Sequence, residues 1–373
     1  MPEKNAIVRL LRAAYNGGMK VRIMKSGSRK SSVQSAPRSR GLYYGAIALV
    51  ALLAIAGIMI LNNPSAWSQR LPPSNLKLEN IPFNGERAFE HLEAICALGP
   101  RVSATQQMLE QQKYLQAHFE KCGGKVILQE FEVRHPENGA KVPMVNMIVK
   151  WHPEKTERIL LCTHYDTRPF ADEDPNRSLQ RKPGVFLGAN DGASGAALFC
   201  EMAEKMKDLP CKYGVDFVLF DGEEFIFDKN RDGDNYFLGS KHFAGEYAMK
   251  PHDYSYKWGL LVDMIGDKDL QIYHEVNSMQ GTESRTLNSD IWSTARQLGV
   301  REFIPQTVHE VRDDHLALRE IAKIPTIDII DFDYPRPRAA KYWHTTNDKP
   351  ENCSALSLAK VGYVLEEWLK KAK

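Results

Sequence analysis

The chain has 373 residues, 43% hydrophobic and 26% charged, a globular balance with enough apolar material for one large core, which excludes disorder of the chain as a whole. Its formal charge of +2 conceals an asymmetry: residues 1–40 hold ten Lys or Arg and a single acid, Glu3, so the remainder is net acidic by about seven. A folded part of that sign is a poor partner for nucleic acid.

Residues 1–40 are basic and Ser-rich with little periodicity and read as a cytoplasmic arm. Residues 41–61, GLYYGAIALVALLAIAGIMIL, form an uncharged apolar run just long enough to cross a bilayer as a helix. No Lys or Arg follows until Arg70, so the basic block ahead of the run predicts a cytoplasmic N-terminus and an extracytoplasmic remainder, periplasmic or luminal. A buried core helix and an atypical long signal peptide are the competing readings of the same run. Residues 62–80 carry Pro64, Pro72 and Pro73 in a polar setting and read as a spacer off the membrane, leaving residues 81–373 for the folded domain.

Within that domain, helical patterns over Gly85–Leu98 and Gln106–Cys122 end at Gly123-Gly124, a helix stop. Strand-like segments follow at Lys125–Val133, Val145–Lys150 and Arg158–Cys162, then three further apolar β-rich runs at Val215–Phe220, Gly259–Val262 and Ile324–Ile330. Helical stretches such as Ala193–Lys207 and Ser284–Leu298 separate them. This alternation predicts an α/β fold, a three-layer sandwich around a mixed, mostly parallel central sheet. The six cysteines are scattered without C-x-x-C spacing, which speaks against a zinc knuckle or a thioredoxin-like site.

Polar residues gather just after the predicted strands, where open α/β sheets place their ligands. His164 and Asp166 follow the run ending at Cys162; Asp221, Glu223 and Glu224 follow Val215–Phe220; Asp263 follows Gly259–Val262. Asp191 lies in LGANDGASG before an apolar helix, and His344 in KYWHTTND after the last strand. One such residue alone is more often a cap or a loop hydrogen-bonder. Together, imidazoles and carboxylates from separated segments are costly to assemble unless a cation compensates them, and zinc suits a nitrogen and oxygen donor set. In Glu223-Glu224, adjacent side chains project differently, so one can bind metal while its neighbour handles protons. The stretch Asp228–Asp234 is similar to the start of a calcium loop, but Gly239 stands where its twelfth-position Glu is expected, and a solvated acidic loop is the preferred reading.

His164-Tyr165-Asp166, Asn190-Asp191-Gly192, Asp221-Gly222-Glu223-Glu224, Gly239-Ser240-Lys241-His242, Asp263-Met264-Ile265-Gly266 and Trp343-His344-Thr345 resemble, in order and spacing, the M28 zinc aminopeptidase superfamily. The text from Phe83 onward is most similar to its glutaminyl-peptide cyclotransferase branch, on FDGEEF, LGSKHFA, VDMIGD, RDDHLALREIAKIPTIDII and WHTTND. The resemblance implies Asp191, Glu224 and His344 as zinc ligands, Glu223 as proton shuttle, and Asp263 with Asp313 as acids supporting the shuttle. It implies equally that His164 and Asp263 complete a second zinc site in two-metal aminopeptidases, with Asp191 bridging, so one or two ions fit the residue list. Three positions depart from the animal cyclases: Phe227-Asp228-Lys229 replaces a Trp, Asp328 replaces a His, and Ala196 replaces the Cys that would pair with Cys162.

The expected activity is cyclisation of the N-terminal Gln of peptides to pyroglutamate with release of ammonia. Trp343 would wall a narrow pocket around the small side chain, or serve as a core aromatic. The alternatives are a zinc aminopeptidase that removes N-terminal residues, and an ectodomain of this kind that has lost catalysis and serves in protein interaction.

Overall fold

In the computed structural model, residues 74–228, 236–335 and 341–372 are described; the expected membrane helix, the cytoplasmic arm and most of the calcium-loop-like segment lie outside them. No helix among the described residues is long and apolar enough to cross a membrane.

The first two helices form where the sequence supplies both a cap and an apolar stripe. Asn84 accepts a hydrogen bond from Arg87 N at 3.0 Å to start α1 (Gly85–Ala97), whose Ala88, Leu92 and Ile95 turn one face inward. Thr105 caps α2 (Gln106–Lys121), which buries Met108, Leu115 and Phe119. Ahead of them, Ser74 donates to Glu302 from both its amide and its hydroxyl, which fastens the described start of the chain to the body.

Strands β1 (Lys125–Arg134), β2 (Lys141–Trp151), β3 (Glu157–His164), β4 (Gly214–Phe220), β5 (Ser255–Asp263) and β8 (Thr326–Ile330) make one sheet in the order β1-β2-β4-β3-β5-β8. The β1–β2 and β2–β4 pairings are antiparallel, and β4–β3, β3–β5 and β5–β8 are parallel, so the sheet is mixed as expected. A separate parallel pair joins β6 (Ile272–His274) to β7 (Phe303–Thr307).

Period-two alternation divides the strand side chains between two cores. Ile159 and Leu161, Val215, Phe217 and Leu219, and Leu260 and Val262 face α1, α2, α3 (Ala193–Met206), α5 (Thr282–Gln297) and α7 (Ala355–Lys371). Leu160 and Cys162, Val218 and Phe220, and Leu261 face α4 (Leu238–Met249) and α6 (Asp314–Glu320) on the other side. The result is three layers, helix on sheet on helix. Because β3, β4, β5 and β8 run parallel, their C-terminal ends share one edge, and the residues that follow them meet there.

Candidate active site

The meeting point is built from strand ends and two tight turns. His164 is the last residue of β3 and Asp263 the last of β5. Glu223 and Glu224 follow β4 by three and four residues, and their backbone amides donate to the two oxygens of Asp166 at 3.1 and 3.0 Å. Asp191 opens α3, its own amide and that of Asn190 held by Asp348 at 3.1 and 2.7 Å. Gly192 closes that turn at φ +98°, where a Cβ would stand 2.5 Å from Asp166 O, so only glycine lets the two loops touch. His344 reaches the site from the loop after β8 with φ +53°, a left-handed conformation that costs a non-glycine residue on the order of 1 kcal/mol.

These segments bring together two overlapping triads, all buried. Asp191, Glu224 and His344 offer ligand atoms within 4.8 Å of one another, and so do His164, Asp191 and Asp263. His344 Nε2 lies 3.1 Å from Glu224 Oε1 and 3.4 Å from Asp191 Oδ2; His164 Nε2 lies 3.1 Å from Asp191 Oδ1 and 3.2 Å from Asp263 Oδ1. Two donors each about 2.0–2.1 Å from a tetrahedral zinc stand roughly 3.3 Å apart, so both triads match zinc dimensions. Asp191 presents one oxygen to each triad. Its Oδ2 is buried without a hydrogen-bond partner among the described residues, an orphan of the kind that ligation satisfies.

Charge in the site points the same way. Burial and the nearby Arg168 act to strip the proton from His344, yet Glu224 and Asp191 outweigh them and hold it up to about 9. Burial likewise opposes charge on His164, but Asp166, Asp191 and Asp263 raise it well above the usual imidazole range. Both imidazoles are thus surrounded by carboxylates that favour a positive charge, the setting in which a bound dication would take the place of protons.

The two glutamates of the pair part ways. Burial drives Glu223 well above the usual carboxylate range, with the charge of Glu224 adding to it. Burial pushes on Glu224 too, but the Arg168 guanidinium and His344 hold it well below that range. Arg168 is buried, bonds Glu224 Oε2, and reaches Asp172 Oδ1 at 2.8 Å and the Tyr236 hydroxyl at 3.1 Å. Asp313 caps α6 through its backbone neighbour Asp314 at 2.6 Å, and burial with the charges of Asp263 and Asp314 raises it far above normal.

A pocket of about 370 Å³ opens over these groups, lined by Glu223, Glu224, Asp191, Asp263, Asp313 and His344 at its base and by Trp343, Phe332, Ile330 and Phe237 on its walls. The Trp343 ring stacks on His344 at 3.7 Å and meets Phe332 edge-on at 5.5 Å, so it both joins a small apolar cluster and walls the pocket.

Of the residues singled out from the sequence, His164, Asp191, Glu223, Glu224, Asp263, Asp313, Trp343 and His344 converge here and Asp166 holds the glutamate pair, whereas Asp221 turns away and accepts from the Ser103 hydroxyl and the Val145 amide. Arg168 and Asp348 were missed. Arg168 lies two residues past Asp166, just beyond that motif, and its only signal is a cation placed after a buried strand. The six cysteines are free, Cys162 among them.

Comparison with known proteins gives this site a family. The model of peptidase family M28 matches residues 146–369. The solved structure of Fimbriiglobus ruber glutaminyl cyclase is 39% identical, with a TM-score of 0.73 over 82% of this chain and 100% of that one. A leucine aminopeptidase precursor from Bacteroides thetaiotaomicron VPI-5482 is 28% identical, with a TM-score of 0.71 over 79% and 99%. Aminopeptidase YwaD of Bacillus subtilis strain 168 is 25% identical over 207 residues, 55% of this chain and 38% of that protein. The chain spans less than half the length of the curated relatives it matches. Zinc is the metal suggested by the family and by the donor set together. With its strand-end motifs folded into one buried site inside the matched residues, the chain belongs to peptidase family M28.

Proposed function

We propose that this protein is a zinc-dependent glutaminyl-peptide cyclotransferase that converts the N-terminal Gln of peptides to pyroglutamate. The observation that carries the reading is the likeness to the Fimbriiglobus ruber glutaminyl cyclase, at 39% identity across the whole of that chain, against 28% for the leucine aminopeptidase precursor. The pocket lined by Trp343, Phe332 and Glu223 supports it, since it offers apolar walls to a small side chain and a carboxylate to an α-amine.

Asp191, Glu224 and His344 would hold the ion, which supplies polarisation of the γ-carbonyl when bound. Glu223 accepts a proton from the α-amine as that nitrogen bonds to the side-chain carboxamide carbon, Cδ, and returns it to the amide nitrogen as the Cδ–N bond breaks, so that it leaves as ammonia. Its raised proton affinity suits a base for this transfer. Asp263 and Asp313 line the same pocket, and burial raises the proton affinity of both. Trp343 and Phe332 shield the reacting amide from water, which would otherwise compete with the amine.

The triad of His164, Asp191 and Asp263 favours a second reading, a two-metal aminopeptidase in which Glu223 activates the attacking water and acids hold the α-amine. Incubation of the purified protein with Gln-peptides and with Leu- or Ala-peptides separates the two by mass. Loss of ammonia from the Gln-peptide supports cyclisation; loss of the first residue from the others, with the Gln-peptide unaltered, overturns it. We place the catalytic part outside the cytoplasm, anchored by residues 41–61, on the strength of the basic block ahead of that run. Protease added to sealed vesicles of defined orientation tests this placement.

A further inference from the structure

A second set of ligating side chains sits where α1, α2 and α3 pack, away from the pocket. His118 and Cys122 are one turn apart at the C-terminal end of α2, and Glu204 lies near the end of α3. Cys122 Sγ is 3.7 Å from His118 Nε2 and 3.7 Å from Glu204 Oε1, and His118 Nε2 is 3.9 Å from Glu204 Oε1. Around a tetrahedral zinc with bonds of about 2.3 Å to sulfur and 2.0–2.2 Å to nitrogen and oxygen, those separations would be roughly 3.3–3.6 Å. Small side-chain movements therefore bring all three atoms into the coordination sphere.

A further imidazole packs against this trio, outside the set whose ligand atoms lie within 4.8 Å of one another, and its Nε2 would have to swing in to complete the site. The ring of His91, on α1, lies 4.6 Å from that of His118. Its Nδ1 is 2.6 Å from the Tyr114 hydroxyl, while its Nε2 is buried with no hydrogen-bond partner among the described residues. With Nδ1–H donated to Tyr114, the Nε2 lone pair is left free, which is the tautomer and support a ligating imidazole needs. The nearby Arg87 does not leave an unbalanced cation, because Glu201 binds it through two bonds at 2.5 and 2.9 Å.

We propose that His91, His118, Cys122 and Glu204 form a zinc site that ties together the three helices on this face of the sheet. Two neutral imidazoles, one thiolate and one carboxylate neutralise a dication, and the thiol proton passes to solvent on binding. His118 Nε2 now sits 2.8 Å from Cys200 O, and ligation exchanges that hydrogen bond for a coordinate bond. Side-chain exposures of 12% for His118 and 34% for Glu204 leave the ion a way in. From Ala193, the first residue of α3, to Glu204 is about 16 Å at the 1.5 Å rise of an α-helix, so the ion would act as a staple rather than in the reaction.

Cobalt(II) titration of the full-length protein tests the proposal. The triads of the pocket contain only nitrogen and oxygen donors, so a near-ultraviolet thiolate-to-cobalt band reports this site alone. The band is expected in the wild type and in His344→Ala, and absent in Cys122→Ser. In Glu204→Gln it should need at least roughly tenfold more cobalt. No band at saturating cobalt, a band that survives Cys122→Ser, or an unchanged midpoint in Glu204→Gln overturns the proposal.

Discussion

On the Glu224 side of the pocket each carboxylate has a cationic or imidazole partner that outweighs burial, whereas on the Asp313 side acids crowd together and the imidazoles His164 and His315 do not offset them. Glu224 is flanked by Arg168 and His344, and Asp191 by two histidines, and both stay below the usual carboxylate range although burial acts against them. Asp313 and Asp328 are equally buried, and burial together with the charges of Asp263, Asp314 and Glu275 drives both far above it, although the His315 ring lies 3.8 Å from Asp328. The same residue types, drawn from distant parts of the sequence, therefore give a half that offers anions to a metal and a half whose carboxyls are biased to hold protons. Burial is shared by both; the partner decides.

The largest expected effect comes from removing a ligand from the first half. His344→Ala should lose metal and turnover together, read by elemental analysis of the purified protein beside a peptide assay. Retained stoichiometric zinc in that variant would break the distinction outright.

Next in size is the glutamate pair, where the border between the halves runs through one peptide bond. Glu223→Gln should keep its zinc and lose roughly 10²–10⁴-fold in turnover, the range a general acid–base group supplies. Glu224→Gln should instead lose zinc, since a neutral amide is a poorer ligand for a dication. Equal metal contents in the two variants would merge the roles again.

Arg168 sharpens the first half. It bonds the Glu224 oxygen that faces away from His344, so Arg168→Met should weaken zinc binding by about 10–100-fold without removing any ligand. Competition with a chelator of known affinity measures this. An unchanged dissociation constant would make Arg168 a packing residue only.

The smallest effect concerns the proton-storing half and is read in stability. Burial lifts Asp314 to about 7 from 3.8 in the unfolded chain, against its hydrogen bond to Ser240. Between those values the native chain holds a proton that the unfolded chain releases. The stability from this group is complete below about pH 4 and is lost as pH rises towards 7, by at most about 1.4 kcal/mol per pH unit. Urea unfolding of the metal-free protein across that window should give a shallower decline in Asp314→Asn than in the wild type. Parallel declines would remove Asp314 from the proton-storing set.

Much of this was legible before any coordinates. The parallel strands are short apolar runs bounded by polar motifs, so the end of each run locates a site residue, as with His164 after Arg158–Cys162 and Asp263 after Gly259–Val262. The antiparallel flank is harder to bound: β2 begins at Lys141, ahead of the predicted Val145, because Lys141 to Met144 pair with β1. Arg168 and Asp348 escaped notice because their importance lies in what they touch across 56 and 157 residues of chain, and neither spacing nor periodicity records such contacts. Trp343 was undecided between wall and core, and the geometry makes it both. The number of ions was left open by the residue list, and Asp191 still faces both triads.

Asp166 carries one further consequence. Its two oxygens hold the successive amides of Glu223 and Glu224, so a single carboxylate at the end of one strand sets the position of the dipeptide at the end of the next. The ligand and the proton carrier are thereby mounted on one bracket: a shift of β3 against β4 would carry both by the same amount and in the same direction. Substitutions that adjust one role while sparing the other are then confined to groups that touch only one side chain of the pair, such as Arg168. Any change to the bracket itself should be felt in metal affinity and proton transfer at once, and in fixed proportion.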